Sequence, residues 1–266
     1  MDDGLEAQIA AAEAYEDLHV PAIFGQWAPL VLEAADLAAG DRVLDVACGT
    51  GVLAREAARR VGARGTVTGL DPAGGMLAVA KRLQPAVEWH EGVAATLPFA
   101  DGSFDVVASQ FGLMFFPDRE AALREMLRVL VSAGRLSVAV WGALDRSPAY
   151  SAAVELLERR AGQAAADALR APFVLGDPAE LDGLLAAAGA AAVTVVEERG
   201  LARFPSVRSM IEAELRGWLP IMGVHLEEAL IETILAEAEE VLELYVAADG
   251  RVVFEVSALI ATGRKP

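Results

Sequence analysis

The chain has 266 residues, of which 55% are hydrophobic, a formal charge of −17 and one cysteine. That much apolar surface supports a large buried core and is the reverse of a disordered segment. The acidic balance argues against nucleic acid and anionic membrane as partners, and a lone Cys48 excludes an intramolecular disulfide or a Cys/His zinc cluster.

The opening segment, MDDGLEAQIA, is acidic and lacks the basic start and apolar centre of a secretory leader. No unbroken apolar run reaches membrane-spanning length, and the Ala-rich stretch 184–196 is too short. These features predict a cytoplasmic protein without stable membrane association. Apolar spacing predicts an amphipathic helix over 5–18, interrupted at Pro21, and a second helix to about Leu37 with Pro29 in its first turn. Strand and helix patterns then alternate. Strands are expected at 42–47, 66–70, 87–90, 104–109 and 135–141, and helices at 52–60, 74–83 and 118–130. Such alternation predicts an α/β fold, a parallel sheet with helices on both faces.

After Trp141 the rhythm changes. Residues 147–169 read as helical, and 177–188 as a helix with Asp177 at the N-cap and Pro178 at the first position. A strand is expected at 192–203, a helical block over 206–247 and a final strand at 252–262. The block lies between two strands able to form a hairpin. It therefore reads as an inserted helical cap within one domain spanning residues 1–266.

The stretch Val43-Leu44-Asp45-Val46-Ala47-Cys48-Gly49-Thr50-Gly51 carries most of the chemical information. An apolar strand runs into a turn with two glycines, and a helical run starts at Val52. Glycine has no Cβ, so its backbone can bend sharply and lie against a ligand. A strand, a glycine turn and a helix N-terminus make a nucleotide-binding corner. Gly49 to Ala54 also fits G-x-G-x-x-G/A, a pattern too common to identify a cofactor alone. Asp71 ends the second expected strand, twenty residues past Gly51, where a carboxylate accepts both hydroxyl protons of a ribose. Nicotinamide enzymes and S-adenosylmethionine enzymes share both features. Asp45 helps separate them, because a carboxylate there repels a pyrophosphate and attracts, directly or through water, the ammonium of a methionine moiety. Bracing the glycine loop through backbone N–H groups is its plainer role.

Three motifs in order, VLDVACGTG, TGLDPAGGML and EGVAATLPFADGSFDVVASQFGLMFF, resemble a class I S-adenosylmethionine-dependent methyltransferase. The nearest group is the small-molecule type related to ubiquinone and menaquinone biosynthesis methyltransferases. The resemblance covers roughly residues 20–141, and GDPAELDGLLAAAGA is similar to the family's helix before its sixth strand. It implies a Rossmann-like, doubly wound sheet of seven strands, mostly parallel with an antiparallel last strand. It implies S-adenosylmethionine as cofactor and S-adenosylhomocysteine as product. The reaction implied is in-line methyl transfer to a small-molecule acceptor, with O, N or C as the nucleophile. A nicotinamide-dependent oxidoreductase and a non-catalytic S-adenosylmethionine-binding protein stand as alternatives.

The resemblance also implies residue roles. Gly49 and Gly51, with Ala47, Cys48 and Thr50, pass under the methionine and ribose, and Asp71 holds the ribose hydroxyls. Pro72 and Met76 flank the adenine, and Gly92, Val93 and Ala94 border its edge. Ser109, Gln110 and Phe111 approach the sulfonium. Tyr15, Phe24 and Trp27 belong to lid helices over residues 1–38. Relatives often carry an aspartate at the position of Val93. Its absence forfeits one hydrogen bond to the adenine amino group, about 1 kcal/mol.

Cys48 reads as a small residue lining the turn, since no base adjoins it. An aromatic among Phe111, Phe115 and Phe116 that faces a sulfonium adds a cation–π contribution. Phe115, Met210, Trp218 and Met222 are candidate walls of an apolar acceptor pocket, with plain packing as the alternative for each. His19 and His225 fall in the two segments expected to cover the site and are general-base candidates, although a histidine in a helical cap is more often structural.

Overall fold

A computed structural model describes residues 3–266. Residues 1 and 2 of the expected lid segment lie outside it. Helix α1 (Asp3–His19) runs into a π-helical turn, Val20–Phe24, where Pro21 has no N–H to continue an α-helix. There follow α2 (Ala28–Ala34), β1 (Arg42–Val46), α3 (Val52–Val61), β2 (Thr66–Asp71) and α4 (Gly74–Leu83). Next come β3 (Glu88–Glu91), β4 (Phe104–Gln110), α5 (Arg119–Val129) and β5 (Leu130–Trp141). The remainder is α6 (Pro148–Ala161), α7 (Gln163–Arg170), α8 (Pro178–Ala187), β6 (Ala191–Phe204), α9 (Val207–Glu212), α10 (Leu219–Ile221), α11 (Glu228–Val241) and β7 (Val252–Arg264).

The strands form one seven-stranded sheet in the order β3-β2-β1-β4-β5-β7-β6. β1 pairs in parallel with β2 and β4, β3 with β2, and β5 with β4, while the last strands run antiparallel. Strands flanked on both sides read as continuous apolar runs, and Val43, Leu44, Val46, Val106, Val107, Leu136 and Val138 are all fully buried. From β1 the chain builds outward through β2 to β3, then crosses back to place β4 on the other side of β1, so the winding direction reverses between β1 and β4. A crevice therefore opens beyond the carboxyl ends of these two strands, where α/β sheets bind ligands.

Two compact units are distinguishable. One holds the chain up to Val140, Asp177–Glu198 and Leu259–Pro266; the other holds Trp141–Gly176 and Arg199–Ala258. In the second unit Tyr150 packs its ring against Phe173 and Phe254, and its hydroxyl donates to Glu214 Oε1 at 3.1 Å. Among the described residues, no helix is long and apolar enough to cross a membrane, and no cluster of three His, Cys, Asp or Glu side chains offers a metal site.

Three elements depart furthest from their expected bounds, and the second helix ends at Ala34 instead of about Leu37. The helix expected at 147–169 is two helices, because Gly162 adopts φ +84° between them, a conformation open to glycine. β5 begins at Leu130 instead of 135, and its pairing with β4 shifts register between Phe104 and Val106. That irregularity, with Ala133 at φ +60°, breaks the side-chain alternation that would have revealed the extra residues. The block 206–247 resolves into α9, a π-helical segment Ala213–Trp218, α10 and α11.

Candidate active site

The turn after β1 is built by positive-φ residues. Ala47 sits at φ +58°, Gly49 at +53° and Gly51 at +86°. An L-residue in this left-handed region costs about 1–2 kcal/mol, so Ala47 holds its place against local preference. Its neighbour across the site is Gly112. A Cβ on Gly112 would lie 2.7 Å from the Ala47 Cβ and 3.0 Å from Ser109 Oγ. Glycine at 112 thus lets the turn after β4 approach the turn after β1. Gly51 caps α3, and a Cβ there or on Gly69 would come within 2.4 Å of the Trp89 ring. The indole fills the space both glycines leave, and its Nε1 donates to the Gln84 carbonyl at 3.0 Å.

Two carboxylates brace this turn from below. Asp45 is buried; its Oδ2 accepts from the Ala54 N–H at 3.0 Å, and its Oδ1 has no partner among the described residues. Burial pushes its carboxyl up to about 8 and the charge of Asp71 adds to this, against the Ala54 N–H and Arg55. Asp71 accepts from the Gly49 N–H at 2.8 Å through Oδ2 and from the Ala73 N–H at 2.9 Å through Oδ1. Burial raises its pKa too, opposed by those two bonds. Each Asp71 oxygen keeps a lone pair beyond its backbone bond. Burial, and then the negative charges of Asp45 and Asp71, push the Cys48 thiol up, the opposite of what a nucleophile needs.

Thr50 Oγ1, Ser109 Oγ and Gln110 Oε1 are also buried and without partners among the described residues. Buried polar atoms are nearly always paired, so four such atoms at the ends of β1 and β4 mark a place prepared for polar ligand groups. The set fits an adenosyl amino acid. The unpartnered Asp45 oxygen can meet an ammonium, whose positive charge favours the ionised carboxyl over the protonated one that burial otherwise imposes; Asp71 retains acceptor capacity for ribose hydroxyls, and open space lies above Gly49.

A row of rings leads from α1 to the end of β4. Tyr15 stacks on His19 at 5.6 Å between centroids and meets Phe24 at 5.3 Å; Phe24 meets Phe111 at 5.5 Å, and Phe111 meets Trp27 at 6.2 Å. Gln110 Nε2 donates to the Phe24 carbonyl at 3.2 Å. Burial, then the neighbouring charges of Glu16 and Asp71, hold the Tyr15 phenol well above its ordinary value. α1 packs on α4 through Gly75, where a Cβ would lie 2.6 Å from the Gln8 carbonyl. Among the residues expected to flank an adenine, Gly92 donates its N–H to the Asp71 carbonyl at 3.2 Å, Met76 is half-buried, Ala94 is buried, and Pro72 and Val93 are exposed.

The first unit therefore brings together Tyr15, Phe24, Trp27, Asp45, Ala47, Cys48, Gly49, Thr50, Gly51, Asp71, Ser109, Gln110 and Phe111, with His19 stacked on Tyr15. Phe115 is exposed on the short turn after β4. Met210, Trp218, Met222 and His225 belong to the second unit. There Met210 is buried, Trp218 Nε1 donates to the Ala168 carbonyl at 2.8 Å, and Met222 and His225 are exposed. Sequence reasoning missed Arg55, Glu16, Trp89 and Gly112. Only the position of Arg55, one helical turn past Gly51, offered a signal.

Residues 44–138 match the family model described as a methyltransferase domain. The chain is 37% identical over 154 residues to a 2-phytyl-1,4-naphtoquinone methyltransferase of Thermosynechococcus vestitus, covering 56% of this chain and 66% of that protein. It is 41% identical over 134 residues to a demethylmenaquinone methyltransferase of Renibacterium salmoninarum, covering 50% and 55%. The match thus spans between about half and just under two thirds of these relatives' own length. The crystal structure of the YcgJ protein from Bacillus subtilis shares the fold, with a TM-score of 0.56 and 20% identity over 90% of this chain and 98% of that one. The glycine turn, the two carboxylates beneath it and this sequence kinship make the chain similar to the class I S-adenosylmethionine-dependent methyltransferases of quinone biosynthesis, through a methyltransferase domain matched over residues 44–138.

Proposed function

We propose that this chain transfers a methyl group from S-adenosylmethionine to a small-molecule acceptor by in-line displacement. The observation that carries the reading is the set of unpartnered buried polar atoms, Asp45 Oδ1, Thr50 Oγ1, Ser109 Oγ and Gln110 Oε1, gathered around a glycine turn braced by Asp71. When bound, S-adenosylmethionine supplies a methyl carbon activated by its positive sulfur. Asp71 takes the ribose hydroxyls through its spare lone pairs, and Asp45 attracts the ammonium. Ser109 and Gln110 orient the end of the molecule nearest the reacting carbon, and the Phe111 ring offers a π-face to positive charge. The lid residues of α1 and the turn after it exclude water. What remains for the protein is alignment, holding the acceptor atom roughly 3–3.5 Å from the methyl carbon.

The relatives act on naphthoquinone-type and demethylmenaquinone acceptors, so a reduced, hydroxylated aromatic ring is the acceptor class to test first. Such a ring becomes a strong nucleophile once a hydroxyl proton leaves. His19, stacked in the aromatic row, is the base the geometry supports over the exposed His225. We assign acceptor selection to the helical cap, residues 206–247, and to Phe115. We place the reaction in the cytoplasm, where the single buried thiol of Cys48 stays reduced.

Calorimetric titration with S-adenosylhomocysteine, S-adenosylmethionine and NADH tests the cofactor assignment. Product mass after incubation with reduced naphthoquinones, phenols and amines tests the reaction. Binding of NADH alone would return the chain to the oxidoreductases. Tight S-adenosylhomocysteine binding with no methylated product from any acceptor would make it a binding protein.

A further inference from the structure

We propose that Glu16 and Arg55 form a latch holding α1 closed over the cofactor, and that Arg55 positions the glycine turn through the same guanidinium. The inference rests on the S-adenosylmethionine reading above and names residues that reading does not use.

Arg55 lies in the first turn of α3. Its Nη2 donates to Glu16 Oε1 at 2.6 Å and its Nη1 donates to the Thr50 carbonyl at 2.6 Å. One rigid fork therefore ties a lid helix to the peptide between Gly49 and Gly51. A planar guanidinium can serve two acceptors in fixed directions; an ammonium on a flexible stem is a point charge and cannot. The side chains of Arg55 and Glu16 are only 23% and 18% exposed. A second pair, Arg82 and Glu13, joins α1 to α4 with 59% and 40% exposure. Exposed pairs of that kind contribute little, whereas a sheltered, charge-assisted bond is stronger and less screened.

The latch has capacity to spare. Glu16 Oε2 is buried and has no partner among the described residues, and Thr50 Oγ1, on the residue whose carbonyl Arg55 grips, is in the same condition. A buried carboxylate oxygen left unpaired carries a desolvation cost that a ligand's N–H or O–H donors relieve. The adjoining lid residue, Tyr15, feels the charges of Asp71 and Asp45. Withdrawing α1 therefore removes Glu16 and Tyr15 from the site together, and cofactor exchange requires the Glu16–Arg55 bonds to break.

The test uses the full chain and the variants Glu16→Gln, Arg55→Lys and, as a control, Glu13→Gln. Stopped-flow displacement gives the S-adenosylhomocysteine release rate, and amide hydrogen exchange without ligand gives the opening of α1. Glu16→Gln and Arg55→Lys are expected to release S-adenosylhomocysteine about tenfold faster, the factor carried by about 1.4 kcal/mol. Faster exchange should be confined to α1 and the glycine turn, with Glu13→Gln indistinguishable from the parent. Because Arg55→Lys keeps the charge and loses the fork, parent-like behaviour in that variant overturns the positioning role. Parent-like release in Glu16→Gln, or equal acceleration in Glu13→Gln, overturns the latch while leaving the cofactor assignment intact. A parent that binds no S-adenosylhomocysteine sinks both.

Discussion

At the scale of single residues, the site rests on two aspartates that do different work. Asp71 is a brace, since the Gly49 and Ala73 N–H groups both end on it, and it is also the clamp proposed for the ribose. Hydrogen bonds to a charged group contribute about 1.5–3 kcal/mol each, so Asp71→Ala should lower the melting temperature and weaken S-adenosylhomocysteine binding at least tenfold. Asp71→Asn keeps one acceptor oxygen and should fall between. Thermal melts and calorimetry on the same samples check both, and a stable variant with parental affinity would put the ribose elsewhere. Asp45 makes a prediction about pH. Its carboxyl moves from 3.8 to about 8 on folding, so between those values the folded chain holds a proton that the unfolded chain has released. Stability is then greatest below the lower value and falls as pH rises toward the upper one. Asp71 shifts in the same direction and adds to the fall. Denaturant titrations at about pH 5 and about pH 8 should show a smaller loss in Asp45→Asn than in the parent. Both aspartates were legible in the sequence because strand ends and glycine turns are local patterns. Glu16 and Arg55 were not, since they lie 39 residues apart and meet only through the fold.

At the scale of elements, the turns after β1 and β4 depend on one another. Ala47 accepts a left-handed backbone, and its methyl then occupies space that any side chain at 112 would claim. Gly112→Ala must push apart two turns whose neighbours are Ser109 and Phe116, with an expected cost of about 1–3 kcal/mol. Its affinity for S-adenosylhomocysteine should drop as well, because Ser109 and Ala47 move together. A variant as stable as the parent would show that the two turns slide freely. The helices and most strands were readable from apolar period alone. The break at Gly162 was not, because it falls in an alanine-rich run that favours helix on both sides. The early start of β5 escaped for a different reason. Its first residues are tied by the Lys265 ammonium, which donates to the Arg128 and Leu130 carbonyls, and by the Ala133 N–H donating to the Lys265 carbonyl. Those partners sit at the far end of the chain and leave no local trace.

For the molecule as a whole, alternating strand and helix patterns pointed to the parallel part of the sheet. The resemblance supplied the seven strands and the antiparallel finish, which the strand order and pairing bear out. The second unit was less legible in function than in structure. Its helices follow from their apolar spacing, but nothing in a Leu-, Ala- and Glu-rich block encodes the shape of an acceptor. Trp218 is the residue to probe there, since its indole is anchored on the Ala168 carbonyl. If acceptor choice belongs to this unit, Trp218→Leu should reorder the ranking of acceptors by kcat/KM while S-adenosylhomocysteine affinity stays within about twofold of the parent. Equal losses for every acceptor would indicate general loosening instead.

The double duty of Asp71 bears on how such chains diverge. A descendant with a different chemistry would still need that aspartate to keep its first crossover folded. Selection for foldability alone would preserve the signature long after the trade had changed. The signature is therefore testimony about ancestry and architecture.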